Sequence, residues 1–146
     1  MTLWERAQLA ITLLAIDPQR LGGLVIRARA GPAQAAMLAA VQSLDLAKVK
    51  LQHHMTVEVL NGDIDLTASL AGRQLVTRKS IFDCAPSLFI LPMAERSAPQ
   101  FSARICQALE EGRGHALLAL DEGVEVGDGL PDALTDRLAF HVTLDD

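Results

Sequence analysis

The chain has 146 residues, of which half are hydrophobic and 21% are charged, so most of it should fold as one domain with a sizeable core. A formal net charge of −5 and only 3% aromatic residues argue against nucleic-acid binding, which needs a basic face and stacking platforms. No apolar run reaches the roughly 18 residues of a membrane span, and the N-terminus, with an early Glu5, is not typical of a signal peptide. We expect a cytoplasmic protein in which Cys84 and Cys106 are reduced and partly buried.

The first third of the chain predicts a helix, a strand and a second helix. Residues 3–16 carry apolar side chains at helical spacing, and Asp17-Pro18 ends this helix because a residue before proline avoids helical geometry. Gly22-Gly23 then turns the chain into a short apolar strand at residues 24–27. Proline suits the first turn of a helix, so the second helix should begin at Pro32 and run to about Leu44.

The rest of the chain continues to alternate strands and helices. In order, we expect a strand near residues 49–53, a short helix at 66–70, a buried strand at 87–91, a helix from Pro99 to Gly112, a strand at 115–120, a short helix at 132–138 and a strand at 139–144. This alternation predicts an α/β domain with a mostly parallel five-stranded sheet covered by helices. We expect one domain over residues 1–146, and its finish at Asp145-Asp146, directly after a strand, suggests an N-terminal fragment of a longer chain.

Three stretches of the sequence together resemble a known family. They are "AIDPQRLGGLVIRARAGP", "SLFILPMAE" and "LPDALTDRLAFHVTL", which in their order and spacing look like the N-terminal AAA+-type domain of the magnesium chelatase D subunit. The resemblance runs from Trp4 to about Leu144 and is most specific at Asp17-Pro18 with Gly22-Gly23 and at "LTDRLAFH". It implies an AAA+-like fold of the P-loop NTPase type, here without the helical lid, acidic linker and adhesion-type domain of the full-length family member.

The resemblance also implies a place in a protein complex. Magnesium chelatase is a ligase that uses ATP and Mg²⁺ to insert magnesium into protoporphyrin IX during chlorophyll and bacteriochlorophyll biosynthesis. In that family the D subunit assembles into rings with the ATPase I subunit, and the complex acts on a porphyrin-binding H subunit. By this resemblance we expect the chain to be a platform subunit that has neither ATPase nor chelatase activity alone.

The loop after the first strand departs from the pattern of active relatives, which carry G-x-x-x-x-G-K-[ST] there. That pattern holds phosphates with backbone N–H groups and a lysine, and Mg²⁺ with a hydroxyl. The corresponding residues here are Arg27, Ala28, Arg29, Ala30, Gly31, Pro32, Ala33 and Gln34. Ala33 and Gln34 replace the lysine and the hydroxyl residue, and Pro32 removes one N–H donor. Arg27 and Arg29 are either a residual anion site or, as is more usual, paired or solvated residues.

The strand at residues 87–91 is not followed by the pair of acidic residues that active relatives carry there. Active relatives carry an acidic pair there that holds Mg²⁺, whereas this chain has Pro92 and Met93, neither of which is a useful ligand for a hard cation. An acid at Asp121 or Glu122, near the place of a residue that faces the γ-phosphate in relatives, would repel phosphate. We therefore expect no nucleotide, no metal and no other cofactor bound by this domain itself.

One element of the resemblance suggests a role in a neighbour's site. Asp136-Arg137 matches the position at which AAA+ relatives carry an arginine finger, which reaches the nucleotide of an adjacent subunit. Arginine suits that role because its planar fork pairs two phosphate oxygens. The alternative is a surface arginine paired with Asp132 or Asp136.

Other groups of polar residues have simpler interpretations. His53 and His54 are adjacent on a predicted strand and so point to opposite faces, which argues against one metal ion held with Glu58 or His115. A nucleophile and base made from Cys84 or Cys106 with His115 has no local signature. The acids of the loop after residue 120 have the wrong spacing for a calcium site and are interpreted as solvated; they are Asp121, Glu122, Glu125 and Asp128.

Two other functions remain open from the sequence. A nucleotide sensor would bind ATP or ADP without hydrolysing it, despite Ala33. A stand-alone α/β enzyme or small-molecule binder would present a well-formed pocket with convergent polar groups and would need no ATPase partner.

Overall fold

The computed structural model of the chain describes residues 1–64, 66–123 and 129–144. The chain divides into two compact units, one formed by Met1–His53 with Pro86–Asp146 and the other by His54–Ala85. No helix within the described ranges is long and apolar enough to cross a membrane.

The helices and strands alternate along the chain. The helices are α1 (Leu3–Ile16), α2 (Pro18–Leu21), α3 (Pro32–Gln42), α4 (Val57–Asn61), α5 (Leu66–Gly72), α6 (Pro99–Glu110) and α7 (Asp132–Thr135), with a 3₁₀ turn at Ala94–Arg96. The strands are β1 (Gly23–Arg27), β2 (Ala47–Lys50), β3 (Asp63–Ile64), β4 (Thr77–Arg78), β5 (Ser87–Leu91), β6 (Ala116–Asp121) and β7 (Phe140–Thr143).

The first unit contains a five-stranded sheet in the order β2-β5-β6-β1-β7, and each pair of neighbours is parallel. The register pairs Arg27 at the end of β1 with Asp121 at the end of β6. Strands β5 and β6 are likewise in register, with Leu91 opposite Ala119. Because all strands run the same way, the loops that follow β1, β5 and β6 meet at one edge of the sheet, where α/β proteins usually carry their sites. The predicted α/β class with a five-stranded parallel sheet is confirmed.

The core of the first unit lies between the sheet and the helices that cover it. All six residues of β6 are buried, as expected for a parallel strand covered on both faces. Helix α1 packs small and branched side chains against the sheet, and α3 contributes two more buried side chains. These helical core residues are Ala7, Ala10, Ile11, Leu14, Met37 and Val41.

Two predicted elements differ from the structure. The second strand was expected at residues 49–53 but is β2, which begins at Ala47 because it pairs with β5 from Ser87 onward. It ends before His53, whose ring leaves the sheet to bond the Pro92 carbonyl. The helix expected at residues 132–138 is the shorter α7, which ends at Thr135 and is followed by a turn.

The second unit is small and carries many apolar side chains at its surface. Thr56 caps α4 by accepting a hydrogen bond from the Val59 N–H at 3.3 Å, and β3 and β4 form a short antiparallel pair. Helix α5 confirms the helix predicted at residues 66–70 and extends it to Gly72, with no buried residue of its own. The exposed large hydrophobic residues here are Val57, Val59, Leu66, Leu70, Leu75 and Val76.

Candidate functional site

The candidate site lies at the edge of the sheet where β1, β5 and β6 end. The loop after β1 leads into α3, which has Pro32 in its first turn and no side-chain cap. Gly31 has an extended backbone, and the nearest atom to a β-carbon built on it is the Arg29 oxygen at 3.9 Å. The glycine therefore leaves room for a side chain, unlike a glycine that lets the backbone approach a ligand closely.

A carboxylate from the loop after β6 bridges the other two loops. The Gln34 side-chain N–H₂ group donates to Glu122 Oε1 at 3.1 Å and lies 3.4 Å from the Ala28 carbonyl oxygen. The Met93 backbone N–H donates to Glu122 Oε2 at 2.9 Å. Both oxygens of Glu122 are thus engaged by residues at the positions predicted to have lost the hydroxyl and the acid of an active site.

A second carboxylate supports this bridge from the turn after β5. The Glu122 backbone N–H points at Glu95 and lies 3.1 and 3.3 Å from its two carboxylate oxygens. Burial raises the pKa of the Glu95 carboxyl; the hydrogen bond from Glu122 opposes this, and the charges of Asp121 and Glu122 add to the rise. Three acids therefore share this edge of the sheet, which makes it unfavourable for phosphate.

Arg27 is paired within the chain. Its Nη1 atom lies 3.8 Å from Asp121 Oδ2, and the Asp121 side chain is only 7% exposed. Asp121 Oδ1 also accepts a hydrogen bond from the Gly123 N–H at 3.0 Å. This arrangement favours the interpretation of Arg27 as a paired residue over a residual anion site, while Arg29 lies at the surface.

Arg137 lies outside this loop cluster, just after α7. Its backbone N–H donates to the Leu134 carbonyl oxygen at 3.1 Å, and the next residue, Leu138, is 3% exposed. Its Nε atom lies 3.8 Å from Glu110 Oε1 at the end of α6. The acid that faces Arg137 is therefore Glu110 of α6, and not Asp132 or Asp136, as the alternative interpretation expected.

The double glycine before β1 is explained by close backbone approaches. A β-carbon on Gly23 would lie 1.9 Å from the Leu117 carbonyl oxygen, and one on Gly22 would lie 2.3 Å from the Arg137 carbonyl oxygen. The Gly22 oxygen also accepts from the Leu117 N–H at 2.9 Å. Gly22 and Gly23 thus allow the start of β1 to contact β6 and the turn that carries Arg137.

The two candidate histidine sites are explained by structural contacts. His53 Nε2 donates to the Pro92 carbonyl oxygen at 2.7 Å, and its ring packs near Phe101 with a centroid distance of 5.7 Å. His115 is 1% exposed, and its Nδ1 accepts a hydrogen bond from the Ser87 N–H at 3.2 Å. Among the residues that the structure describes, no three His, Cys, Asp or Glu side chains form a group that could hold a metal ion.

The two cysteines are free thiols in different surroundings. Cys106 is half-buried, and its Sγ donates to the Ala133 carbonyl oxygen at 3.2 Å. Cys84 is exposed, so the expectation that it is partly buried is wrong; it lies among exposed residues of the loop between β4 and β5. Burial raises the pKa of Cys106, which is the opposite of what an activated nucleophile needs.

The sequence reasoning missed the partners of these residues. Glu95 and Glu110 were not named as candidates, and Glu122 was interpreted as part of a solvated acidic loop. Glu122 instead bridges two loops, whereas Glu125 and Asp128 of the same predicted loop lie outside the described residues. Their positions in the sequence could have indicated the site, because Glu95 and Glu122 closely follow two neighbouring strands whose ends meet at one edge of the sheet.

Comparison with known proteins finds two curated relatives. The chain is 42% identical over 142 residues to the magnesium-chelatase 60 kDa subunit of Cereibacter sphaeroides, and the match covers 97% of the chain. It is 39% identical over 142 residues to the subunit of the same name from Rhodobacter capsulatus, with 96% of the chain covered. The chain spans 25% of the length of each of these relatives. No family model matches the sequence.

Solved structures show the same fold at low sequence identity. A model of the complex between subunits BchI and BchD of magnesium chelatase, built on a cryo-EM reconstruction, matches with a TM-score of 0.71 and 14% identity over 97% of this chain and 60% of that one. A protein of Cytophaga hutchinsonii assigned as an ATPase matches with a TM-score of 0.61 and 15% identity over 97% of this chain and 47% of that one. These neighbours confirm the α/β fold with its parallel sheet, and the curated relatives support the resemblance to magnesium chelatase.

Proposed function

We propose that this chain acts as a non-hydrolysing AAA+-type platform in a magnesium chelatase complex, as the D subunit that assembles with the ATPase I subunit. The similarity to two magnesium-chelatase 60 kDa subunits supports a role in the magnesium chelatase complex. The observation that best supports a non-hydrolysing role is the position of the Glu122 carboxylate. It accepts hydrogen bonds from the Gln34 side chain and the Met93 N–H at the edge of the sheet where a nucleotide would lie.

The chemistry of this edge does not suit ATP. Phosphoryl transfer needs a lysine and Mg²⁺ to neutralise the charge that develops on the phosphates. Ala33 stands at the lysine position, and Met93, with a left-handed backbone, stands where an acid would bind the metal. Glu95 and Glu122 bring negative charge to the same place, so a phosphate would have to break existing hydrogen bonds and face two carboxylates.

The proposed contribution of the chain to hydrolysis is Arg137, acting on the nucleotide of a neighbouring ATPase subunit. Its side chain is 36% exposed and projects from a turn whose backbone is fixed by hydrogen bonds. Arginine is the residue best suited to bind a transition-state phosphate in trans, because its fork offers several donors in fixed geometry. In this proposal ATP and Mg²⁺ belong to the ATPase subunit, and the porphyrin belongs to the H subunit of a cytoplasmic complex.

The proposal can be tested by adding the full-length protein to the ATPase I subunit and measuring ATP hydrolysis and magnesium insertion. Arg137→Ala should leave assembly intact, as measured by sedimentation. It should lower the ATP hydrolysis that the ATPase subunit owes to Arg137 by about 10³-fold or more. Arg20→Ala is the matched control, because Arg20 is an exposed arginine that pairs with Asp17, three residues before it, at 3.6 Å. Equal activity of Arg137→Ala and the wild type, with assembly intact, would contradict the role of Arg137.

A protein that neither binds nor stimulates the ATPase subunit would contradict the platform function itself. Hydrolysis of ATP by this chain alone would contradict its non-hydrolysing role.

A further inference from the structure

We infer that Glu110 is a positioning residue for Arg137, which holds the Nε side of the guanidinium so that its outer Nη groups point away from the chain. This inference rests on the proposed function, because it concerns how Arg137 is presented to a neighbouring nucleotide site. It assigns a role to a residue of α6 that no sequence motif marks.

Glu110 contacts the guanidinium of Arg137 at its Nε atom. Arg137 Nε is buried and has no hydrogen-bond partner within the described part of the chain, yet the side chain as a whole is 36% exposed. Glu110 Oε1 lies 3.8 Å from this Nε atom, which is an ion-pair distance and longer than a hydrogen bond. The exposed part of Arg137 therefore lies away from Nε, which leaves the Nη groups as the donors available to an acceptor outside the chain.

The backbone that carries Arg137 is held on both sides. The Ala139 N–H donates to the Leu21 carbonyl oxygen at 3.0 Å, and His141 Nε2 lies 3.1 Å from the carbonyl oxygens of both Thr135 and Leu138. Because the main chain is fixed, the freedom that remains to Arg137 is rotation within its long side chain. One acid placed at Nε restricts that rotation.

Helix α6 is itself attached to the turn. Cys106 and Glu110 are four residues apart on α6 and so lie on one face of the helix. Cys106 Sγ donates to the Ala133 carbonyl oxygen of α7 at 3.2 Å, and Arg137 and Glu110 both influence the pKa of Cys106. The thiol, the acid and the arginine therefore form one cluster at the α6–α7 contact, and this cluster sets the separation of Glu110 from Arg137.

The test is a double-mutant cycle in the full-length protein, mixed with the ATPase I subunit at saturating ATP. Glu110→Ala should lower the stimulated kcat by about tenfold, since a small misplacement of a positioned group has effects of this order or larger. The protein concentration for half-maximal stimulation should not change. Glu110→Gln removes the negative charge on which an ion pair at 3.8 Å depends, so it should lose nearly as much activity as Glu110→Ala. In an Arg137→Ala background, Glu110→Ala should have no further effect.

Glu111→Gln is the control, because Glu111 follows Glu110 but pairs with Arg104 and Arg113 at 3.8 and 3.3 Å. Wild-type kcat in Glu110→Ala, while Arg137→Ala loses stimulation, would overturn the inference and leave the proposed function intact. An equal loss from Glu110→Ala in the presence and absence of Arg137 would also overturn it, because Glu110 would then act independently. Wild-type stimulation in Arg137→Ala would overturn the role of Arg137, and the inference with it.

Discussion

The carbonyl oxygen of Arg137 lies 2.3 Å from the place where a β-carbon on Gly22 would be. The backbones of these two residues are therefore in direct contact, although 115 positions separate them in the sequence. Gly22 also has a φ of +77°, which L-residues with side chains rarely adopt. The double glycine before β1 and the candidate arginine finger are therefore parts of one structural feature.

Gly22→Ala should destabilise the protein, because the new methyl group meets a backbone oxygen and the residue must keep a left-handed conformation. Together these effects should lower the free energy of unfolding by about 2–4 kcal/mol, measured by urea denaturation. Gly31→Ala is the control, since the nearest atom to its β-carbon is 3.9 Å away and its backbone is extended. Similar unfolding midpoints for the two variants would contradict the close contact.

Glu122→Ala should loosen the loops at the edge of the sheet. The change leaves the Gln34 amide and the Met93 N–H without their carboxylate acceptor, which should lower the free energy of unfolding by about 1–2 kcal/mol at this partly exposed position. Glu122→Gln keeps one acceptor oxygen and should give an intermediate value. Hydrogen exchange of the Met93 amide should accelerate in Glu122→Ala, and an unchanged exchange rate would show that the bridge does not form in solution.

Glu95 should make stability depend on pH. Burial raises the pKa of its carboxyl in the folded chain above the ordinary value of 4.5. Its contribution to stability is therefore fully present below the unfolded pKa and is lost as the pH rises through the folded pKa. Glu95→Gln, whose amide oxygen still accepts from the Glu122 N–H, should avoid this loss.

The Glu95→Gln variant should be more stable than the wild type at pH 7, and the two should converge below about pH 4. The gain should stay well under about 1.4 kcal/mol, because solvent screens a group that is only partly buried. Urea denaturation over this pH range measures the difference. A wild type that is more stable than the variant at pH 7 would contradict the sign.

The two thiols should react at different rates with Ellman's reagent. Cys84 is exposed and should react first. Burial raises the pKa of Cys106, with an opposing effect from Arg137, so its thiolate fraction and its access are both reduced. We expect rates that differ by about tenfold or more, and Cys84→Ser should remove the fast phase alone. Equal rates would show that the α6–α7 contact is open in solution.

Much of the fold could be predicted from the sequence, because continuous apolar runs and Pro or Gly breakers mark the strands. The run at residues 87–91 is β5 without change, and Asp17-Pro18 ends α1 as expected. The start of β2 could not be predicted, because Lys48 and Lys50 alternate with smaller residues and the pairing with β5 decides the limits.

The contacts of the candidate site could not be predicted, because they join residues far apart in the chain. Gln34 and Glu122 are 88 positions apart, and nothing local in either stretch marks the partner. From the resemblance, the sequence predicts that groups of a nucleotide site are replaced at Ala33 and Met93, and this stays a prediction. The position of Glu122 between Gln34 and Met93 depends on how the loops after β1, β5 and β6 are arranged in three dimensions. The sequence does not show that arrangement.

The measurement that tests the account most directly is an equilibrium titration of the full-length protein with a fluorescent ATP analogue and Mg²⁺, with the ATPase I subunit as positive control. Because Glu122 and Glu95 occupy the edge of the sheet, we predict no saturable binding to this protein up to about 1 mM, a concentration that would detect even weak affinity. Saturable binding with a micromolar Kd would contradict the account and favour a nucleotide sensor.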